Sequence, residues 1–410
     1  MTIPDGLPDL VPEKKLAGLT TNLWRLALVI GVGQFSMSVW TWQFGIFIET
    51  LIEPWQMGLT FTASSIAGII GVPFSGYVSD FIGRRKTLLV AYIPMAIGLF
   101  LLFSFPVWPL LPFFYGLAQF GWSFVVIMAR AAPADQIAKD NGRDAAKTFS
   151  MVLLPAFAVD GLSPLFASIL LIYGVQQKDL LLLGAMGTII AFIASYVFVR
   201  ETLSDTIQEK ARTGSIIAIR GLGRDFWILA GGIVGSSFAF GMSFSYLGNL
   251  VTIDWGVSTA EWGIIWSLSS LCIAAFSYYG GKLADKNVKP ALWLSMLLNA
   301  AAIATLALGS GFEILLILNI LWAFPIVVWI GSERVLIVHG VGEEMKGRAF
   351  GTYQVVISLV QIIAMNLGAW IWTTFDSLRL MYLISTWIMI ISLLPLALAL
   401  HSINMKNNSR

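Results

Sequence analysis

Long, uninterrupted apolar runs recur along this chain and constrain its fold more than any other feature. Residues 180–194 read LLLLGAMGTIIAFIA without a single charge. About 20 apolar residues are needed for a helix to cross the hydrocarbon core of a bilayer. The strands of a membrane β-barrel would instead alternate apolar and polar residues. The runs therefore predict an all-α membrane protein.

Twelve such runs can be threaded through a membrane. Charged residues make up only 12 % of the chain and the mean hydropathy is +0.81, whereas roughly a quarter of the residues of a soluble domain are charged. The predicted spans, each needing about 20 residues, cover about 24–50, 60–80, 87–106, 108–130, 147–174, 180–199, 226–250, 258–281, 289–309, 312–333, 349–372 and 378–400.

The basic residues are sorted by side in this threading. Of the 25 Lys and Arg residues, all but Lys178 and Arg379 fall on the side that carries both termini. Short cytoplasmic loops retain positive charge. We therefore expect a multi-pass protein of the cell (cytoplasmic) membrane with both its N- and C-termini in the cytoplasm.

A polar stretch divides the chain into two halves. Residues 201–225 follow the sixth span and separate two sets of six spans. The predicted organisation is a cytoplasmic tail (1–22), a six-helix bundle (23–200), a cytoplasmic linker (201–225), a second six-helix bundle (226–400) and a cytoplasmic tail (401–410).

Two loop motifs recur at one spacing, which indicates that the halves are a repeat. The Gly76-x-x-x-Asp80 pattern after span 2 returns after span 8, and Gly142-Arg143 after span 4 returns after span 10, both 205 residues later. The second copies are Gly281-x-x-x-Asp285 and Gly347-Arg348. Repeats of six helices are a transporter architecture. We predict two pseudo-symmetric bundles.

The first loop carries a resemblance to a known family. Residues 76–86, GYVSDFIGRRK, resemble the G-x-x-x-D-[RK]-x-G-[RK]-[RK] signature of the major facilitator superfamily, with Phe81 in place of the usual basic residue. The copy at 281–289 keeps the Gly, the Asp and a following Lys but lacks the Gly-Arg-Arg end. With twelve spans and a half repeat, the resemblance covers residues 22–400 and implies the major facilitator fold.

The resemblance also implies a conformational gate at the cytoplasmic side. Its residues would be Gly76, Asp80, Gly83, Arg84 and Arg85, joined by Arg143, Gly281, Asp285 and Arg348. A helix-end carboxylate can bind a neighbouring helix N-terminus, and Arg offers paired donors to carboxylates across the gap. The alternative is that the basic residues only anchor the loops by their charge.

Asp160 is the acid predicted to lie near the centre of a span. It is flanked by Pro155, Gly161 and Pro164, and no Lys or Arg is predicted at mid-membrane depth to neutralise it. A charge in hydrocarbon costs several kcal/mol, so the group should face a cavity, be paired or be protonated. We interpret Asp160 as a proton-coupling or substrate group. The alternative is a protonated, hydrogen-bonded structural residue.

Polar side chains at helical spacing suggest a substrate cavity. Amide and indole groups can bind a solute, but they also join transmembrane helices to one another. The candidates are Ser36, Trp40 and Gln43 on span 1, Gln119 and Trp122 on span 4, Trp322 and Trp329 on span 10, and Gln354, Ser358 and Gln361 on span 11.

These features favour secondary transport by alternating access, with proton coupling as the hypothesis. The chain has no phosphate-binding loop, no metal-ligand cluster and no histidine within a span, so neither an enzyme nor a cofactor is predicted. The expected partners are a small neutral or cationic solute, protons and lipid, with no nucleic acid. The protein is expected to be a monomer. A drug or metabolite efflux antiporter, an uncoupled facilitator and a transporter-like sensor are the alternatives.

Overall fold

The computed structural model describes residues 15–16, 19–139, 145–201, 222–339 and 346–403. Within them, twelve helices are long and apolar enough to cross a membrane, which confirms the predicted number. An antiparallel pair of two-residue strands, Lys15–Leu16 and Leu19–Thr20, precedes the first helix.

The N-terminal half contains spans 1 to 6. Span 1 is interrupted: it comprises the helix Thr21–Ser38, a 3₁₀ turn at Thr41–Gln43 and a short helix at Phe44–Glu49. Spans 2 to 6 are Pro54–Ile82, Arg84–Ser104, Leu111–Lys139, Ala145–Ile172 and Asp179–Phe198.

The C-terminal half contains spans 7 to 12. Span 7 is also interrupted: the helix Arg224–Phe244 is followed by a short turn of helix at Leu247–Asn249 and a π-helical turn at Leu250–Asp254. Spans 8 to 12 are Thr259–Lys286, Val288–Leu308, Phe312–His339, Lys346–Phe375 and Leu378–Ser402.

The two halves repeat the same helix pairings. In the first half, span 1 packs on spans 5 and 6, span 4 packs on spans 2 and 3, and span 3 packs on span 6. The second half makes the same set of pairs six spans later in the chain. Spans 2 and 8 begin at Pro54 and Thr259, again 205 residues apart. The repeated loop motifs therefore reflect a repeated helix arrangement.

The local chemistry of the chain marks where the helices begin. The Thr20 hydroxyl accepts a hydrogen bond from the Leu23 amide (3.3 Å) at the start of span 1. Ser258 and Glu261 form a reciprocal capping box at the start of span 8. Such caps satisfy amide groups that a helix leaves free at its N-terminus.

The halves meet through two pairs of helices. Span 5 packs on span 8 and span 2 packs on span 11. Large apolar side chains such as Phe113, Ile391 and Leu394 lie on the outer surface, between 68 and 71 % exposed. This surface suits contact with lipid tails.

Two names describe the ends of the bundle. We call the end that holds Thr21, Ile82, Phe198 and Arg224 the terminal side, because it carries the chain termini. The opposite end, which holds residues 49–54, 172–179 and 254–259, is the far side.

Candidate functional site

Asp160 is held in a hydrogen-bonded cluster between spans 1 and 5. Its Oδ1 accepts hydrogen bonds from Gln34 Nε2 (2.8 Å) and Ser38 Oγ (2.5 Å). Gln34 Nε2 lies 2.7 Å from Ser38 Oγ, so the three side chains form a closed triangle. In the described part of the chain, no Lys or Arg forms an ion pair with Asp160. The carboxyl group is therefore bound by neutral donors alone.

The partners of Asp160 lie directly before the interruption in span 1. The helix ends at Ser38, and the chain turns at Val39 and Trp40 before the 3₁₀ segment begins. The indole Nε1 of Trp40 donates to the Ser36 carbonyl (2.8 Å). Asp160 on span 5 is thus tied to the last helical turn before the break.

The matching break in span 7 is held differently. The Tyr382 hydroxyl donates to the Ser243 carbonyl (2.6 Å), and the Tyr246 hydroxyl donates to the Met365 carbonyl (2.9 Å). Ser243 and Met365 stand 205 residues after Ser38 and Asp160. In the second half, bonds between tyrosine hydroxyl groups and backbone carbonyls therefore hold the segment next to the break. In the first half, the Asp160 carboxyl group holds it.

A cavity of about 310 Å³ lies between the halves, next to both breaks. Its volume falls within the range of small-molecule sites. Most of its lining is aromatic, small or hydroxyl-bearing, and none of the described lining residues is charged. The first half contributes Thr41, Trp42, Gly45, Phe61, Ser64, Ser65 and Tyr115, and the second contributes Phe244, Ser245, Leu247, Gly248, Asn249, Trp266 and Met365.

The halves are joined towards the far side. Asn249 Nδ2 donates to the Gly45 carbonyl (3.0 Å), and Asn366 Nδ2 donates to Thr62 Oγ1 (2.6 Å). Two further bonds between the halves are Gln177 to Thr259 and Ser267 to the Gly161 carbonyl. The cavity is therefore closed towards the far side.

The polar candidates on span 1 are buried in helix packing rather than in the cavity wall. Ser36, Trp40 and Gln43 are fully buried. Ser36 and Trp40 pack where Gly184 and Gly187 leave room on span 6. Gln43 Nε2 donates to the Gln177 carbonyl (3.3 Å). Their predicted role in binding a solute has no direct support in this arrangement.

The candidates on span 4 lie behind the cavity wall. Gln119 and Ser64 both face the hydroxyl of Tyr115, which lines the cavity. Trp122 is half-buried and packs on the apolar core. Gln119 can therefore position Tyr115 without touching a solute.

Most candidates on spans 10 and 11 pack against other helices of the second half. Trp322 Nε1 donates to Asn299 Oδ1 (2.7 Å), and Trp329 packs edge-on against Phe240 with ring centres 5.0 Å apart. Gln361 packs against Gly241 of span 7. Gln354 is exposed and lies 3.3 Å from Ser358 Oγ. None of these side chains belongs to the described cavity lining.

Four hydrogen bonds of the loop between spans 2 and 3 lie within its own half. Arg84 Nη1 bonds Asp80 Oδ1 and Ser79 Oγ, each at 2.5 Å. The Glu201 carboxylate accepts the backbone amides of Arg84 (2.8 Å) and Arg85 (3.1 Å) at the start of span 3. Negative charge at a helix N-terminus is favourable. Gly83 has φ +94°, a left-handed conformation that favours glycine.

The other gate candidates are only partly visible. No described atom would lie within 4 Å of a Cβ atom added at Gly76. Gly281 and Asp285 lie in span 8 and Arg348 lies in span 11, but the surroundings of these three residues and all of Arg143 fall outside the described part of the chain.

Sequence reasoning missed much of the cavity. Phe61 on span 2 and Trp266 on span 8 face it from opposite halves at corresponding positions, 205 residues apart. The repeat spacing that identified the loops could have paired these two aromatic residues. Glu333, which shares a helical face with Trp322 and Trp329 on span 10, has a carboxylate that faces the Tyr353 hydroxyl and the Trp329 indole.

Comparison with known proteins agrees with this architecture. Residues 26–364 match the sequence profile described as the Major Facilitator Superfamily. No curated protein sequence matches the chain.

Solved transporter structures share the fold at low sequence identity. The chain is similar to the nucleoside transporter NupG as its D323A mutant (TM-score 0.80, 12 % identity, 92 % of this chain and 99 % of that one). It is also similar to a bacterial homologue of the human lysosomal transporter Spinster, inward-facing and occupied (0.75, 14 %, 93 % and 96 %). A third is the human organic anion transporter MFSD10 (0.63, 15 %, 92 % and 99 %).

Proposed function

Because this chain belongs to the major facilitator superfamily and is a membrane transporter, we propose that it moves a small solute by proton-coupled alternating access. The solute would bind in the cavity between the halves, and Asp160 would carry the proton. The terminal side would face the cytoplasm, as the sorted basic residues favour.

One observation supports the coupling most directly. The Asp160 carboxylate accepts two hydrogen bonds from the last turn of span 1 before its break. The segment after the break supplies Thr41, Trp42 and Gly45 to the cavity lining. Ser38, which binds Asp160, precedes these lining residues by three to seven positions. A movement of Ser38 can therefore shift the cavity wall.

The chemistry of the cluster depends on charge. A carboxylate binds two donors more strongly than a neutral carboxylic acid does, because charged hydrogen bonds are roughly twice as strong. Protonation weakens the tie between span 5 and the last turn of span 1. The broken segment then gains freedom to move, and the cavity changes with it.

Few other ionisable groups lie near Asp160. Span 1 has none between Arg25 and Glu49, and span 4 has none between Tyr115 and Arg130. Span 8 has only Cys272 between Glu261 and Tyr278. Asp160 is therefore the carboxyl group that best fits the proposed proton site at this level of the bundle.

Transport can be tested before the solute is identified. Purified protein in liposomes that enclose a pH-sensitive dye is exposed to a library of sugars, amino acids, amines and uncharged aromatic compounds. We expect at least one compound to cause proton movement that depends on the protein. If no compound moves itself or protons, the proposal of proton-coupled transport is wrong.

Variants at the far side and at the terminal side should change the labelling of the far side in opposite directions. Ala369 packs against Gly58 across the closed far side, so a cysteine placed there in a Cys272→Ser background reports opening of that side. Thr62→Val removes the acceptor of the Asn366 bond, worth about 1 kcal/mol, and should raise labelling about fivefold.

Asp80→Asn is the matched variant at the terminal side. It weakens the Asp80–Arg84 pair in the loop that we propose as the gate. We expect Ala369→Cys labelling to fall, because the carrier then favours the state that is open at the terminal side. If the Ala369→Cys protein and its Thr62→Val and Asp80→Asn variants are labelled equally, the basic residues of the loop act only as a charge anchor.

A further inference from the structure

We infer that the cavity binds an uncharged solute that carries an aromatic ring together with hydrogen-bonding groups. This inference rests on the proposed function, since it names the class of solute that the proposed carrier moves. It comes from the walls of the cavity, from two buried polar atoms in them and from the lack of charge among the described lining residues.

Aromatic rings line the cavity on both sides. Phe61 and Tyr115 stand edge to face in the first half, with ring centres 6.3 Å apart. Phe244 and Trp266 stand 5.8 Å apart in the second half. Aromatic pairs prefer offset-stacked or edge-to-face contact at such distances. A flat ring between the halves can make the same contacts with both walls at once.

Two of the lining residues each carry a buried polar atom that has no hydrogen-bond partner within the described structure. They are the Nε1 donor of Trp42 and the Oδ1 acceptor of Asn249. Trp42 is 6 % exposed and Asn249 is 1 % exposed. A buried polar group without a partner destabilises the folded protein. A solute that offers both an acceptor and a donor would satisfy the two atoms together.

The lack of charge among the described lining residues indicates an uncharged solute. All described lining residues are apolar, aromatic, amide-bearing or hydroxyl-bearing. A charged solute would leave water without a fixed partner of opposite sign, which is costly. Amide, hydroxyl and carbonyl groups can be desolvated here, because Asn249, Thr41 and the serines can bind them.

Matched pairs of compounds test this inference by thermal unfolding of the purified protein. The neutral probes are nicotinamide, indole-3-acetamide and phenyl β-D-glucoside. Their charged partners are nicotinate, indole-3-acetate and phenyl β-D-glucuronide. Methyl β-D-glucoside lacks the aromatic ring. We expect at least one neutral aromatic probe to raise Tm by roughly 2–5 °C, with no shift from its charged partner or from methyl β-D-glucoside.

A pair of tryptophan variants locates the binding. Trp42→Phe keeps an aromatic ring in the wall but removes the unpartnered donor, and it should weaken binding of the stabilising probe about tenfold. Trp262→Phe is the control. The Trp262 indole is also buried and has no hydrogen-bond partner among the described residues, but Trp262 is not one of the described lining residues. The affinity of this variant should equal that of the wild type.

Several results would overturn the inference. These are no shift with any neutral aromatic probe, equal shifts from the charged partners, or equal loss of affinity in both tryptophan variants. Failure of the inference can be told from failure of transport. Flux of a non-aromatic or charged compound in the liposome assay would leave the carrier function standing and remove only this class of solute.

Discussion

Asp160→Asn is expected to abolish proton-driven accumulation while the protein still folds and binds its solute. A gradient of about one pH unit supplies about 1.4 kcal/mol, which supports a concentration ratio of about tenfold for one coupled proton. Asn keeps the size of the side chain and can still accept bonds from Gln34 and Ser38, but it cannot titrate. The ratio should therefore fall to about one in the liposome assay.

Asp160→Glu provides the matched control. Glutamate titrates, although its longer side chain fits the Gln34–Ser38 triangle less well, so it should retain part of the coupled accumulation. Exchange of solute down its own gradient should persist in both variants. Wild-type accumulation with Asn at position 160 would return the residue to a structural role. Loss of solute binding in the Asn variant would instead make Asp160 a ligand.

Adding a methyl group at the contact of spans 3 and 4 should damage the fold itself. A Cβ atom at Gly98 would lie 2.6 Å from the Ala118 amide nitrogen and 2.8 Å from the Phe114 carbonyl. A Cβ atom at Gly121 would lie 2.7 Å from the Met95 nitrogen. The neighbours are backbone atoms that cannot turn away. Small residues at such contacts let membrane helices approach closely.

We expect Gly98→Ala and Gly121→Ala each to lower the free energy of unfolding by roughly 1–3 kcal/mol, and the double variant to lower it further. The measurement is the Tm and the monodisperse fraction in detergent. Gly68→Ala on span 2 is the control, since nothing lies within 4 Å of a Cβ atom there. If all three variants melt alike, spans 3 and 4 are not in the tight contact described.

The fold could be predicted from local features of the chain. Apolar length determined the number of spans, and the Gly76 and Gly281 loops revealed the repeat. The breaks in spans 1 and 7 could not be seen in the same way. Residues 39–43, VWTWQ, contain no charge, proline or glycine that would mark a break. Hydropathy carries no information about where helical hydrogen bonds stop.

The site was harder to predict for a related reason. Asp160 stood out because a carboxyl group in an apolar span is unusual. Its partner Gln34 lies 126 residues away and could be found only through tertiary contact. The grouping of Ser36 with Gln43 assumed one continuous helix. Because the helix ends at Ser38, the two residues do not share a helical face.

The breaks in spans 1 and 7 are held by different groups, and this difference bears on how many of the two repeated halves must respond to an ion. Rocking of two rigid halves is one collective motion, so a single switch suffices to bias it. In the proposed mechanism, the half that contains Asp160 would respond to the proton. The other half would not, because Tyr246 and Tyr382 hold its broken span through neutral hydrogen bonds. If Asp160 is the proton site, as proposed, only one of the two repeated halves needs an ion-sensitive group for both halves to move together.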